Sequence, residues 1–184
     1  MKQYNNGFTL VELLVTISIV MLLMVVAIPN FSKYRNLNDL GNAAKLIQSE
    51  IYKARSLALA PATDKNPLTN SYGIFITKDA SNNYTMTVQE LNYIDAAHIT
   101  KYQKLDEINV SKNIRITCDG AGDCFSAIFS IEGYGKITYI KSATSSGVDI
   151  LDFPIQITSN KVSGISKKII TNKVTEQVSI KTVQ

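Results

Sequence analysis

The apolar run from Phe8 to Ile28 constrains this chain more than any other feature. Its 21 residues contain one charged side chain, that of Glu12. As an α-helix the run would be about 31 Å long, and the hydrocarbon core of a bilayer is about 30 Å thick. The pattern therefore predicts a membrane-spanning helix over residues 8–28.

A cleaved secretory signal peptide is the alternative interpretation of this run. Its apolar core is usually only about 7–15 residues long and ends at an A-x-A-like site. The stretch "VVAIPNFSKYR" has Ile28 and Pro29 where small residues would be needed, so we expect the helix to be retained. Because the polar leader is short, we predict an N-in, C-out orientation in the cytoplasmic (inner) membrane.

Glu12 lies one helical turn inside the run. A charged side chain at the centre of a membrane helix costs about 2.5–3.5 kcal/mol on insertion scales, and less near an end. The run contains no cation to pair with this carboxylate. Three interpretations stay open: Glu12 is protonated, it extends to the lipid headgroups, or its partner comes from another molecule.

The segment "GFTLVELLVTISIVMLLMVVAIPNF" resembles the N-terminus of type IV pilins and of the pseudopilins of type II secretion systems. The resemblance implies that a prepilin peptidase removes residues 1–7 by cutting after Gly7. It also implies N-methylation of the new terminus, Phe8. Glu12 and Pro29 match the glutamate and the proline of the family pattern.

The resemblance also implies a role for Glu12. Cleavage would create an α-amine on Phe8, and methylation keeps its positive charge. In a stack of such helices, this amine can meet Glu12 of a neighbouring subunit, so that a buried charge gains a partner. The implied partners are a prepilin peptidase/N-methyltransferase, other pilins or pseudopilins bound through the N-terminal helix, and the membrane.

The segment after Pro29 predicts a continuing amphipathic helix over residues 29–60. We expect it to end near Ala60, because Pro61 and a loop-like stretch follow. Pro29 and Gly41 are predicted bends. The apolar residues recur at steps of three and four, as on one helix face: Phe31, Tyr34, Leu37, Leu40, Ala44, Ile47, Ile51, Ala54 and Ala58.

Residues 61–184 are predicted to form a β-rich extracytoplasmic domain. Alternating stretches such as "SYGIFITKD" and "YTMTVQEL", joined by "ASNN", are typical of antiparallel strands and hairpins. We interpret 93–106 as an irregular connection or a short helix. The predicted fold class is α+β, with a long N-terminal helix packed on a C-terminal antiparallel β-sheet domain.

Three later stretches are similar to the GspH/FimT type of minor pseudopilin or minor pilin. They are "SEIYKARSLALA", "IFSIEGYGKITYI" and "KIITNKVTEQVSI". The Gly-Arg turn of that group is replaced here by Thr171-Asn172-Lys173. The resemblance implies a helix followed by a β-rich domain.

Cys118 and Cys124 flank the short stretch "DGAGD". Outside the cytoplasm, two cysteines at this spacing favour a disulfide. A zinc site is the alternative, but two thiols with one distant histidine supply too few ligands. Asp119 and Asp123 suggest calcium, yet the ligand pattern of an EF-hand is absent, so the stretch is interpreted as a turn.

We predict that the chain is not an enzyme and binds no cofactor or metal. His98 is the single histidine, and no nucleophile motif lies near it. Phosphate-binding motifs of the P-loop or GxGxxG kind do not occur.

Residues 161–184 contain five lysines and one acid, Glu176. Lys167, Lys168 and Lys173 are candidate contacts for DNA phosphates. The alternative, which we favour, is that these lysines protect the edges of terminal strands.

Together these features predict a minor pilin-like (pseudopilin) structural subunit of a type II secretion or type IV pilus assembly. It would be processed by prepilin peptidase and incorporated near the tip. The alternative is a DNA-binding minor pilin of a competence/DNA-uptake pilus.

Overall fold

The computed structural model describes residues 8–117, 122–142, 152–172, 175 and 177–183. Side chains are not described at 26–30, 122–123, 139–142 and 152–154. The described part contains one helix, α1 (Leu10–Leu59), followed by nine strands. The strands are β1 (Ser71–Lys78), β2 (Tyr84–Asp95), β3 (His98–Asn109), β4 (Ile114–Ile116), β5 (Gly122–Ser130), β6 (Lys136–Ser142), β7 (Asp152–Ser159), β8 (Val162–Asn172) and β9 (Val178–Val183).

Helix α1 runs without interruption through Pro29 and Gly41. It ends at Leu59, where the backbone N–H of Ala60 donates to the carbonyl of Ser56 at 2.9 Å. A proline cannot continue the backbone hydrogen-bond pattern, so the position of Pro61 explains the end of the helix. The predicted end near Ala60 is confirmed.

The strands form two antiparallel sheets. One has five strands in the order β3-β2-β1-β5-β6, and the other has four in the order β4-β7-β8-β9. The helix packs on both sheets. Its Gln48 side chain also donates to the carbonyl of Val178 in β9, at 2.7 Å. The predicted α+β class, with a helix on an antiparallel β domain, is confirmed.

The core lies between the C-terminal half of α1 and the two sheets. It includes Tyr72, Phe125 and Phe129 from the first sheet and Ile157 and Ile169 from the second. The helix contributes one face, made of Leu40, Ala43, Ala44, Ile47, Ile51, Ala54 and Ala58.

The buried stripe of α1 begins later than the sequence predicts. Leu40 is buried, but Phe31 and Tyr34 are 70% and 63% exposed. They continue the apolar period of the helix beyond the part that either sheet covers. The sequence assigns Phe31 and Tyr34 to the apolar face of the helix that is predicted to pack on the β domain. For these two residues that packing is not observed, and the N-terminal half of α1 projects from the domain.

The prediction of an irregular connection or short helix at 93–106 is also wrong. Those residues belong to a long hairpin of β2 and β3. Asp95 shapes its turn, because one carboxylate oxygen accepts from the backbone N–H groups of Ala97 and His98, at 2.8 and 2.9 Å. The edge strand β3 has no fully buried residue. A strand that buries no side chain does not need apolar residues at alternate positions, and this alternation is what identifies a strand from sequence.

Within the part of the chain that the structure describes, no helix combines the length and apolarity needed to cross a membrane. The membrane span over 8–28 therefore stays a prediction. So do the domain limits that depend on it.

Candidate functional site: the N-terminal segment of the helix

The N-terminal half of α1 presents apolar side chains that its own domain does not cover. From Phe8 to Val25 the large hydrophobic side chains are between 46% and 79% exposed. Soluble monomers seldom expose so extensive an apolar surface, which usually marks a contact with protein or lipid. This segment is therefore the candidate functional site.

A capping box forms the start of the helix. Thr9 is the N-cap residue, and its Oγ1 accepts a hydrogen bond from the backbone N–H of Glu12 at 3.2 Å. In return, Oε2 of Glu12 accepts from the backbone N–H of Thr9 at 3.1 Å. The Thr9 hydroxyl also lies 3.1 Å from the same carboxylate oxygen. Such reciprocal bonds satisfy two N–H groups that the first helical turn leaves unpaired.

The capping box gives Glu12 a partner in its own chain, which the sequence interpretation missed. Oε2 is occupied by Thr9, whereas Oε1 makes no hydrogen bond to any residue that the structure describes. The box therefore fixes the orientation of the carboxylate and leaves one oxygen open to a further donor. The signal was present in "TLVE", because Thr-x-x-Glu before an apolar run is the capping-box pattern.

Of the remaining predicted site residues, Phe8 lies beside this cap. It immediately precedes the N-cap residue Thr9 and is 79% exposed. Gly7 lies outside the described residues. Pro29 lies in the interior of α1, and its side chain is not described. The peptide bond that the pilin resemblance assigns to the peptidase, between Gly7 and Phe8, is thus separated from the N-cap residue by one residue.

Cys124 lies in β5 with 2% of its surface exposed, and no described cysteine is a free thiol. Its predicted partner, Cys118, lies outside the described residues, as do Asp119, Gly120 and Ala121, whereas Gly122 and Asp123 begin β5. The Cys118–Cys124 disulfide stays a prediction.

We expect the purified chain to be two hydrogens lighter before reduction than after it. Closing so short a loop stabilises the fold by about 2 kcal/mol on the chain-entropy model. Intact mass with and without reductant gives the measurement, and Cys118→Ser is the control that removes the difference. Alkylation of two thiols in the native, unreduced protein would contradict the pairing.

The C-terminal lysines do not form one surface among the described residues. Lys167 and Lys168 are consecutive in β8, so their side chains project from opposite faces of the sheet. Lys167 pairs in register with the core residue Ile157, and Lys168 pairs with Lys181. Lys173 lies outside the described residues. β8 is an inner strand of its sheet, so edge protection does not account for Lys167 and Lys168.

One ionic contact joins α1 to the β2–β3 hairpin. Lys53 of α1 bonds Asp106 of β3, and it also lies 3.7 Å from Glu50 of the same helix. The hydrogen bond to Asp106 raises the pKa of Lys53, and the same bond lowers the pKa of Asp106. The Lys53–Asp106 contact joins the helix to an edge strand and is structural.

His98 lies beside Asp95 at the hairpin turn. Its Nδ1 is 2.9 Å from each Asp95 oxygen, and this bond is the main cause that lowers the pKa of Asp95. The two side chains are 70% and 55% exposed. Among the described residues, no cluster of three or more His, Cys, Asp or Glu side chains could hold a metal ion.

Comparison with known proteins points to the same N-terminal segment. Residues 2–28 match the prokaryotic N-terminal methylation motif. The matched residues include Gly7, Phe8 and the Thr9–Glu12 capping box. This match supports a type IV pilin-like N-terminus and does not confirm the GspH/FimT subtype. No curated protein and no solved structure matches the chain significantly.

Proposed function

We propose that the chain is a pilin-like structural subunit that is cleaved after Gly7, methylated at Phe8 and assembled through its N-terminal helix. The observation that carries this proposal is the projecting half of α1. Its apolar side chains are exposed, and they lie within the segment that matches the methylation motif. The role that fits them is packing in lipid before assembly and against other subunits afterwards.

The start of the helix supports pairing between the Phe8 amine of one subunit and Glu12 of another. Cleavage would place a cationic amine on Phe8, next to the N-cap residue. Another subunit can then offer Oε1 of its own Glu12, because its capping box uses only Oε2. An isolated charge in an apolar medium is unfavourable, so pairing favours assembled helices over separated ones. The subunit supplies shape and contacts, and it catalyses no reaction.

The finer assignment is a minor subunit near the tip of a type II secretion pseudopilus or a type IV pilus. It rests on the similarity of the later stretches to the GspH/FimT type. DNA binding is not proposed, because Lys167 and Lys168 project from opposite sides of their sheet.

When the chain is co-expressed with a prepilin peptidase, we expect it to lose residues 1–7 and begin at a methylated Phe8. Mass spectrometry of the mature N-terminus measures both changes. Gly7→Leu should abolish cleavage, because its side chain blocks the approach of the peptidase to the backbone.

The matched control is Gly41→Leu, which adds the same side chain far from the cleavage site. A Cβ atom at Gly41 meets no other atom within 4 Å, so that variant should be processed normally. An intact Met1 terminus in the presence of an active peptidase would refute the proposal.

A further inference from the structure

A polar cleft opens where α1 leaves the β domain. It lies between the helix and the β7–β8 turn, with a volume of about 380 Å³. Its walls are Ser32, Lys33, Asn36, Lys161, Val162 and Ser163. The set contains two cations and three neutral side chains that can donate hydrogen bonds, and it contains no acid. Such a set suits a ligand that is anionic and rich in oxygen acceptors.

The two lysines of the cleft have no acidic partner in the described part of the chain. Neither the Lys33 nor the Lys161 ammonium forms an ion pair with any residue that the structure describes. Both side chains are exposed. Their charges approach the cleft from different elements, Lys33 from the helix and Lys161 from the turn.

The turn that carries Lys161 is held in place by hydrogen bonds. The backbone N–H of Asn160 donates to the carbonyl of Asn113 at 2.8 Å, and the Asn160 side chain donates to the carbonyl of Lys112 at 3.1 Å. The N–H of Lys161 donates to Oγ of Ser159 at 3.2 Å. Because the backbone is fixed, the cleft exists before any ligand arrives, and ordering it costs little.

The cleft lies at the depth of lipid headgroups if the apolar run is in a bilayer. Lys33 follows Ile28 by five residues, or about 8 Å along a helix. The headgroup layer on each side of the hydrocarbon core is about 5–8 Å thick. Phe31 and Tyr34, which flank Lys33, are 70% and 63% exposed, and aromatic residues are common at this depth.

We propose that this cleft binds the phosphate of an anionic lipid headgroup through Lys33 and Lys161. The inference rests on the proposed membrane residence of the unassembled subunit. The hydroxyl groups of Ser32 and Ser163 and the amide of Asn36 supply further donors to the phosphate oxygens. The bound lipid would hold the β domain at a fixed height on the membrane until the subunit is extracted into the filament.

The test uses the full chain in maltoside micelles, which contain no phosphate. Native mass spectrometry counts the molecules of phosphatidylglycerol that remain bound as its concentration rises. We expect one retained lipid per chain. The double variant Lys33→Ala/Lys161→Ala should weaken this binding by roughly 30-fold, since a lysine near an anionic lipid contributes about fivefold.

The matched control is Lys45→Ala/Lys136→Ala. It also removes one exposed lysine from α1 and one from the β domain, but neither lines the cleft. This variant should bind the lipid as the wild type does. Equal weakening in both double variants would overturn the proposal, because the lipid would then be attracted by the net charge of the chain and not by the cleft.

Two further arms test the source of the phosphate. Inorganic phosphate or a short DNA duplex that displaces the lipid at a similar concentration would overturn the assignment to a headgroup.

Processing by prepilin peptidase is measured on the same variants. A chain that is cleaved normally but retains no lipid refutes the cleft alone, whereas a chain that retains lipid but is not cleaved refutes the proposed function.

Discussion

A Glu12→Ala chain is expected to be cleaved and to remain in the membrane, yet to be recruited poorly into filaments. The substitution removes the carboxylate that would meet the Phe8 amine of a neighbouring subunit, and this leaves that amine unpaired in an apolar environment. Leaving one partner of a buried pair uncompensated typically costs about 3–5 kcal/mol. Even a third of that would lower incorporation about tenfold. Quantifying the subunit in sheared filaments relative to its membrane pool gives the measurement.

Thr9→Ala separates the pairing role of Glu12 from its capping role. Both substitutions break the capping box, because Thr9 and Glu12 each accept a bond from the other's backbone N–H. Losing an N-cap side chain costs about 1 kcal/mol in helix stability. Only Glu12→Ala also removes the negative charge. We therefore expect a moderate defect in Thr9→Ala and a much larger one in Glu12→Ala.

Glu12→Gln completes the comparison. Glutamine also closes a capping box, so the start of the helix should stay ordered while the charge is lost. Its defect should lie between those of Thr9→Ala and Glu12→Ala. If Thr9→Ala and Glu12→Ala were incorporated equally, capping alone would explain the role of Glu12 in assembly. If Glu12→Ala were incorporated as well as the wild type, Glu12 would have no role in assembly.

Strands in which apolar and polar residues alternate were predictable from the sequence. In β1 and β2, every second position contributes an apolar residue to the core that contains the helix: Tyr72, Ile74 and Ile76, and Tyr84, Met86 and Val88. Their turn was visible in "ASNN". The end of α1 was equally clear, since Pro61 stops a helix by its covalent structure. In these cases the local pattern and the tertiary environment agree.

The errors arose where tertiary structure, rather than local pattern, decides the outcome. β3 pairs with β2 by backbone hydrogen bonds at the edge of a sheet, so its side chains show little of the burial that makes a strand recognisable. Conversely, Phe31 and Tyr34 continue the apolar period of α1, but the sheets do not reach them. Sequence shows which face of a helix is apolar, but not how far its partner extends.

The sites also include one that was predictable from the sequence and one that was not. The glycine, aromatic residue and glutamate at the N-terminus predict a processing segment from sequence alone, and the same residues match the N-terminal methylation motif. The cleft near Lys33 could not be found that way, because Lys161 is distant in sequence and is brought there by the β7–β8 turn. Single lysines on a helix and in a turn carry no signal until the fold places them together.

The division of α1 into a packed and a projecting half leads to the second large expected effect. Ile47 is fully buried in the core that α1 forms with the two sheets, and Ile47→Ala would leave a cavity there. Isoleucine-to-alanine changes in protein cores cost about 2–5 kcal/mol. For a protein of this size we expect the melting temperature to fall by roughly 4–20 °C. Circular dichroism of the full chain in detergent measures it.

Phe31→Ala is the matched control on the same helix. It deletes a larger side chain than Ile47→Ala does, but that side chain is 70% exposed in the isolated chain. Exposed substitutions usually change stability by no more than about 0.5 kcal/mol, so the melting temperature should stay nearly constant. If Phe31→Ala destabilised the isolated subunit as much as Ile47→Ala, the N-terminal half of α1 would have to pack on its own domain. Its apolar surface would then be unavailable to lipid or to other subunits, and the assembly role proposed for it would fail.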